Sequence, residues 1–372
     1  MKSMYTELDP PTRLLLGPGP SMVHPRVLRA MSAPLLGHLD PQFVALMNEV
    51  QDLLRFVFEA PDALTIPVSG TGSAGMEAAL CSFIEEGDPV LVCINGYFGE
   101  RMLDMATRYR ADAQRIDVPW GQVFSPKQID EALNARPAKI VTIVHAETST
   151  GALQPLEEIA EVAHRHGALF LVDAVTSLGG IPVKMKEVGI DICYSGTQKC
   201  LSAPPGLAPL AMSPHAVDVL KARKSKVANW YLDMTLILKY WGPERTYHHT
   251  APISMNYALR EALRLVEEEG LTARFARHRR NAETLWEGLA ALDLTPHVPI
   301  SHRLPSLTTV SLPDGLDEVG LRKALLDGYN IEIAGGLGSF KGKVWRIGLM
   351  GYSSRPENVV TLLGALERIL PK

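Results

Sequence analysis

Cysteine is scarce, with four in 372 residues. Cys81, Cys93, Cys193 and Cys200 each stand alone inside an apolar run, with no Cys-x-x-Cys pair and no histidine at ligand spacing. A disulfide framework and the usual zinc-finger spacings are thereby excluded, and the thiols read as buried groups in a reducing compartment. Charge of one sign is also lacking. Lys and Arg number 37 against 41 Asp and Glu, a formal net charge of −4, which leaves no basic footprint for nucleic acid or an anionic membrane and favours a small polar ligand. No run approaches the roughly 18 uncharged apolar residues of a membrane span. The first eleven residues lack the apolar core of a signal peptide and the Arg-rich pattern of a transit peptide, and Leu370-Pro371-Lys372 is no peroxisomal address. The expected location is the cytoplasm. Internal repeats and low-complexity tracts are absent too.

What is present is an ordinary globular composition, 46% apolar and 21% charged, at a length that suits two domains. Gly17-Pro18-Gly19-Pro20 forbids regular structure and makes a stiff turn, suited to an arm lying over something else. Helical periodicity runs from Pro41 to about Phe58. A repeated strand, turn and helix pattern follows. Strands are expected at Leu64 to Val68, Val90 to Ile94, Gln114 to Val118, Ile140 to His145 and Leu169 to Asp173, with helices between them. Short apolar strands alternating with amphipathic helices predict an α/β fold, a mostly parallel, doubly wound sheet covered on both faces. After Ser213 a polar, aromatic-rich stretch from Asn229 to Thr250 has no clean period and reads as functional loop. Helices from Met255 to Glu269 and Leu271 to Leu292 precede a smaller α+β region with strands near Leu307 to Ser311 and Val344 to Leu349. The expected division is an arm over 1–20, a large domain over 21–260 and a small C-terminal domain over 261–372.

Lys199 is the only charge between Asp191 and His215. A lysine in apolar surroundings loses solvation of its ammonium and becomes a better amine nucleophile, as a Schiff-base lysine requires. Taken alone, the segment fits equally well a lysine snorkelling from a strand end. The turn Ser69-Gly70-Thr71-Gly72-Ser73-Ala74-Gly75 joins an apolar strand to a helix, so backbone N–H groups and hydroxyls converge as an anion site suited to phosphate. It also spells Gly-x-Gly-x-x-Gly, but the ribose-binding acid of a dinucleotide fold is missing, since Asn95-Gly96-Tyr97 stands where it belongs. A ligand-free tight turn is the plain alternative. The Gly-rich run from Gly335 to Val344 fails the P-loop spacing and reads as a flexible connection. Asp173 closes a very apolar strand, where a carboxylate either caps the next helix or points into the ligand crevice. Beside a phosphate turn and a poised lysine it would bind a protonated ring nitrogen.

Seven short runs occur in the order seen in class V aminotransferases: Ser-Gly-Thr-Gly at 69–72, Asn95 to Gly99, Glu147 to Gly151, Val172-Asp173, Ser195 to Lys199, Tyr247 to Thr250 and Trp345 to Gly348. From about Leu14 onward the chain resembles that family, most closely its alanine–glyoxylate and serine–pyruvate (serine–glyoxylate) group, whose architecture is aspartate aminotransferase-like (fold type I). The resemblance implies pyridoxal 5′-phosphate, bonded as a Schiff base to Lys199, with Asp173 on its ring nitrogen. Thr71, Gly72, Ser73 and Gln198 would hold its phosphate, and Tyr247 and Thr250 would reach it from the partner of a homodimer. Thr148 would lie near the ring hydroxyl and the substrate. Phe98 takes the place of a stacking aromatic that is often Trp. Arg346 would clamp the substrate carboxylate through its planar fork.

The implied reaction is ping-pong transfer of an amino group from alanine or serine to a 2-oxo acid, glyoxylate by resemblance. Three rival readings fit the residues less well. A nicotinamide-dependent dehydrogenase leaves Lys199 without a task, a lyase or desulfurase needs a nucleophilic cysteine on an exposed loop, and a non-catalytic binding protein needs no such set of groups. No metal is expected at His248-His249, where neighbouring side chains diverge and no carboxylate or thiol joins them.

Overall fold

The computed structural model describes residues 7–371. Residues 1–6 of the expected arm, and Lys372, lie outside the described residues. The arm contributes a two-residue strand, β1 (Leu14–Leu15), and then runs on through Gly17–Pro20 toward the centre of the molecule.

Seven strands make the central sheet: β2 (Leu64–Ser69), β3 (Pro89–Ile94), β4 (Asp112–Asp117), β5 (Ile140–Val144), β8 (Leu169–Asp173), β9 (Ile192–Tyr194) and β10 (Leu207–Met212), in the order β2-β10-β9-β8-β5-β3-β4. All neighbours pair parallel except β10, which runs antiparallel to both β2 and β9. The doubly wound, mostly parallel α/β architecture expected from the strand and helix alternation is thus present, with one reversed strand. Alternation inside β3 shows why such a sheet needs cover on both faces. Leu91 and Cys93 join the core cluster on one side, and Val90, Val92 and Ile94 join the cluster on the other. All four cysteines are buried.

A short hairpin, β6 (Ala146–Glu147) and β7 (Ala152–Leu153), projects beyond β5. The C-terminal part carries a second sheet, β11 (Thr295–Pro296), β12 (Leu307–Ser311), β15 (Val344–Gly348) and β14 (Ala334–Gly335), all antiparallel. Helices Leu271–Ala291 and Pro356–Ile369 bury Leu285, Leu289, Leu362 and Leu366 in the core against it. β1 pairs in parallel with β13 (Ile331–Glu332), and Leu16 enters that same core.

Two local readings need correction. Within the stretch expected to be loop, Met234–Trp241 is a helix. Asp233 caps it by accepting from Thr235 N–H at 2.8 Å, and Met234, Ile237, Tyr240 and Trp241 are its buried face. Aromatic and β-branched residues masked its period. The Gly335–Val344 run is not a bare connection either: it starts on the last residue of β14 and holds a 3-10 turn, Gly338–Phe340, closed by the Trp120 ring against Phe340 at 5.2 Å.

Candidate active site

Ser69, Asp173 and Tyr194 end three parallel strands on one edge of the sheet, and the site grows from that edge. After Ser69 the chain must turn sharply. Gly70 has φ 142°, and a Cβ there would stand 2.5 Å from the Ala74 Cβ, so the turn requires glycine. Thr71 caps helix Gly72–Phe83 without a side-chain bond, which leaves its hydroxyl free beside the first-turn N–H groups. Gly72 lies against Val175, where an added Cβ would be 3.3 Å from Cγ2. Ser73 Oγ accepts from Arg101 Nη1 at 2.9 Å. Facing them, Gln198 has its Oε1 buried with no protein donor.

Asp173 pairs in register with Tyr194 across β8 and β9. Its Oδ1 accepts from Val175 N–H at 2.8 Å and its Oδ2 from the Tyr194 hydroxyl at 2.9 Å. Burial pushes its carboxyl up to about 6, while those two bonds and the charges of Lys199 and Arg101 draw it back. Lys199 still touches the open cleft, but protein surrounds it closely enough that desolvation, and then the like charge of Arg346, lower its amine to about 8. Its Nζ donates to Pro18 O, so the arm ends over the lysine. At Gly19 a Cβ would come within 2.9 Å of Lys199 Cδ and Nζ.

Phe98 sits in the first turn of helix Tyr97–Arg108, whose cap, Gly96, has no side chain. The Glu147–Ser149 loop supplies the cap instead. Ser149 Oγ accepts from Tyr97 N–H at 2.9 Å and Glu147 Oε2 from Phe98 N–H at 3.2 Å. A Cβ on Gly96 would stand 2.3 Å from Glu147 Cγ, so that glycine makes room for the carboxylate. Burial pushes Glu147 up to about 7. Thr148, next in the loop, shares a hydroxyl hydrogen bond with Thr176. Arg346 reaches back from β15 to donate from Nε to Gly335 O at 2.8 Å and from Nη1 to Thr148 O at 3.3 Å. Burial lowers it to about 10, with Glu147 opposing. Both partners are neutral carbonyls, so a desolvated guanidinium stands ready for an anion.

The structure therefore brings together Thr71, Gly72, Ser73, Phe98, Thr148, Asp173, Gln198 and Lys199 around one cleft of about 210 Å³, with Arg346 adjoining through Thr148. Tyr247 and Thr250 do not join them. Both are solvent-exposed, Tyr247 at 58%, on a segment anchored by His249 Nε2 to Ser69 Oγ at 2.7 Å. Four contributors escaped the sequence reading: Pro18 O, Glu147, Tyr194 and Arg101. Glu147 belongs to the run Glu147 to Gly151, and Arg101 lies one helical turn after Phe98, its only signal in the sequence. Cys200 is buried with its thiol pushed up to about 11, so it does not present the exposed nucleophile of a desulfurase. Among the described residues no group of three or more His, Cys, Asp or Glu could hold a metal.

The group that fits this cleft carries a phosphate, a basic ring nitrogen and a carbonyl for an amine. The cleft-lining Gln198, through its NH2, and the free Thr71 hydroxyl would answer the first, the oriented Asp173 carboxylate the second and the desolvated Lys199 the third. Comparison with known proteins agrees. Residues 14–359 match the family model described as aminotransferase class-V. The chain is 42% identical to the (S)-ureidoglycine–glyoxylate transaminase of Bacillus subtilis (strain 168), over 98% of this chain and 92% of that one. It is 41% identical to the alanine–glyoxylate aminotransferase of Rattus norvegicus, over 99% and 90%. The crystal structure of an alanine–glyoxylate aminotransferase from Nostoc sp. superposes with a TM-score of 0.98 at 53% identity, over 100% of this chain and 98% of that one.

Proposed function

This chain belongs to the class V aminotransferases, pyridoxal phosphate-dependent enzymes of fold type I, and from that premise we propose that it moves the amino group of a small L-amino acid, alanine or serine, to glyoxylate. One observation carries the reading: a desolvated amine, a buried carboxylate and a glycine-rich helix N-terminus line one cleft, with the Arg346 guanidinium adjoining it.

Pyridoxal phosphate, when bound, supplies a protonated ring that takes up the electron pair left at an amino acid's α-carbon. The residues of the chain do the rest. Thr71, Gly72, Ser73 and Gln198 would hold its phosphate, and Phe98 would cover its ring. Asp173, oriented by Val175 N–H and the Tyr194 hydroxyl, would keep a proton on the ring nitrogen. Lys199 would bond to the carbonyl carbon and, once displaced by substrate, serve as the base that takes the α-proton and returns it one position along. An amine held near 8 is free to accept a proton at neutral pH far more often than one at 10.5. Arg346 would fix the α-carboxylate, with Thr148 beside it. Because donor and acceptor both carry that carboxylate, they would use the clamp in turn, and ping-pong kinetics follow.

We further propose a homodimer in which the exposed Tyr247 and Thr250 complete the partner's phosphate site, an arrangement closed by a two-fold axis. The exposed Trp230 and Tyr231 beside them support an interface there. A cytoplasmic location is proposed on the four buried free thiols. We propose the same division as above: arm 1–20, cofactor domain 21–260 and small domain 261–372. The test is a donor-by-acceptor activity matrix followed through the cofactor's absorbance. Turnover of alanine or serine with glyoxylate is expected. Unchanged transamination by Lys199→Ala would overturn the reading.

A further inference from the structure

A phosphate monoester carries about −1.5 to −2 charge at pH 7. Yet the groups expected to hold it, the Thr71 and Ser73 hydroxyls, the Gln198 amide and helix N–H groups of one chain with the hydroxyls of the partner's Tyr247 and the partner's Thr250, bear no formal charge. Lys199 is engaged by the carbonyl chemistry, and Arg346 stands at the carboxylate end. Among the described residues one further cation lines the cleft, Arg101. It is half-buried, its Nη1 donates to Ser73 Oγ within the phosphate turn at 2.9 Å, and its guanidinium lies over the Phe98 ring at 4.8 Å and the Tyr97 ring at 5.4 Å. The nearest acids along its helix are engaged elsewhere, Glu100 with Arg115 at 3.0 Å and Asp104 with Arg108 at 2.9 Å. A guanidinium with one donor on a serine and none on a carboxylate keeps donors for another oxyanion.

We propose that Arg101 is the charge this chain sets against the cofactor's phosphate, and that the same side chain braces Phe98 for the cofactor's ring. The brace matters because a phenyl ring fills less of that space than an indole, and the cation stacked on it restricts its movement. This inference rests on the reading of the cleft as a pyridoxal phosphate site.

The test measures equilibrium binding of three probes, pyridoxal 5′-phosphate, pyridoxal and inorganic phosphate, to cofactor-free wild type, Arg101→Gln and Arg101→Lys. Thermal melts check that each variant is folded. Arg101→Gln is expected to weaken pyridoxal phosphate and inorganic phosphate by roughly 10- to 100-fold, the scale of one charge-assisted hydrogen bond, and to weaken pyridoxal, which has no phosphate, only by the few-fold that an unbraced Phe98 costs. Arg101→Lys, which keeps the charge without the fork, is expected to fall between them and serves alone should Arg101→Gln not fold. Equal pyridoxal phosphate affinity in variant and wild type overturns the proposal, as does equal loss for pyridoxal and its phosphate. A wild type that binds phosphate through Arg101 but not pyridoxal phosphate overturns the cofactor reading alone. Wild type that binds none of the three overturns both.

Discussion

Asp173 is held at about 6 in the folded chain, against about 3.9 for a free aspartate. The folded state therefore keeps a proton that the unfolded state sheds between about pH 4 and 6, and stability falls as pH rises through that window. Asp173→Asn removes this titration. In the cofactor-free protein the variant should match wild type near pH 4 and exceed it by up to about 3 kcal/mol above pH 6, measured by denaturant unfolding across pH. The same change should abolish transamination, because a neutral amide cannot hold the ring-nitrogen proton. At the other end of the cleft, Arg346→Lys keeps a charge but loses the planar fork. It is expected to raise KM for both substrates by roughly 10- to 100-fold in steady-state assays, since both present the same carboxylate.

Helix Gly72–Phe83 must lie close on the sheet for its first turn to face the cleft. Gly75 allows that approach. An added Cβ would stand 2.9 Å from the Ala208 Cβ and 3.3 Å from the Tyr194 Cβ. Inside a helix Gly→Ala ordinarily stabilises, by about 0.5–1 kcal/mol. Here overpacking reverses the sign, and Gly75→Ala is expected to cost about 1–3 kcal/mol in thermal unfolding and to weaken cofactor binding as the turn shifts. The alternation of strand, turn and helix marked this helix, which is buried on nearly all sides, while apolar periodicity marked helices such as Pro41–Val57 that bury one face. The helix Met234–Trp241 escaped because apolar residues, several of them aromatic or β-branched, fill nearly all of its eight positions and hide the buried face of Met234, Ile237, Tyr240 and Trp241 from a linear reading.

For the whole molecule, the two exposed residues Tyr247 and Thr250 carry the claim of a shared site. Lys199→Ala and a Tyr247→Ala, Thr250→Ala double variant should each be impaired as homodimers. Refolded together in equal amounts they should regain activity, because a mixed dimer contains one intact site. Random pairing predicts about one quarter of wild-type sites. No recovery on mixing, with mixed dimers verified by differential tagging, would place those residues outside the partner's site.

The sequence by itself determined five of the seven central strands and most helices between them, the isolated Lys199, the glycine turn at 69–75 and the carboxylate ending β8, because each depends on neighbours within a few residues. Only the tertiary structure decided how they meet. The reversed strand β10 pairs Leu207 with Ser69 and Leu210 with Tyr194, and so sets the glycine turn at 69–75 beside the strand that leads to Lys199. Pro18 O reaches Lys199 from 181 positions away, and Arg346 reaches Thr148 O from 198. No periodicity encodes such contacts. They arise when non-local burial fixes strand order and register. The same burial, absent from any linear reading, moves Lys199 and Asp173 toward each other on the pH scale.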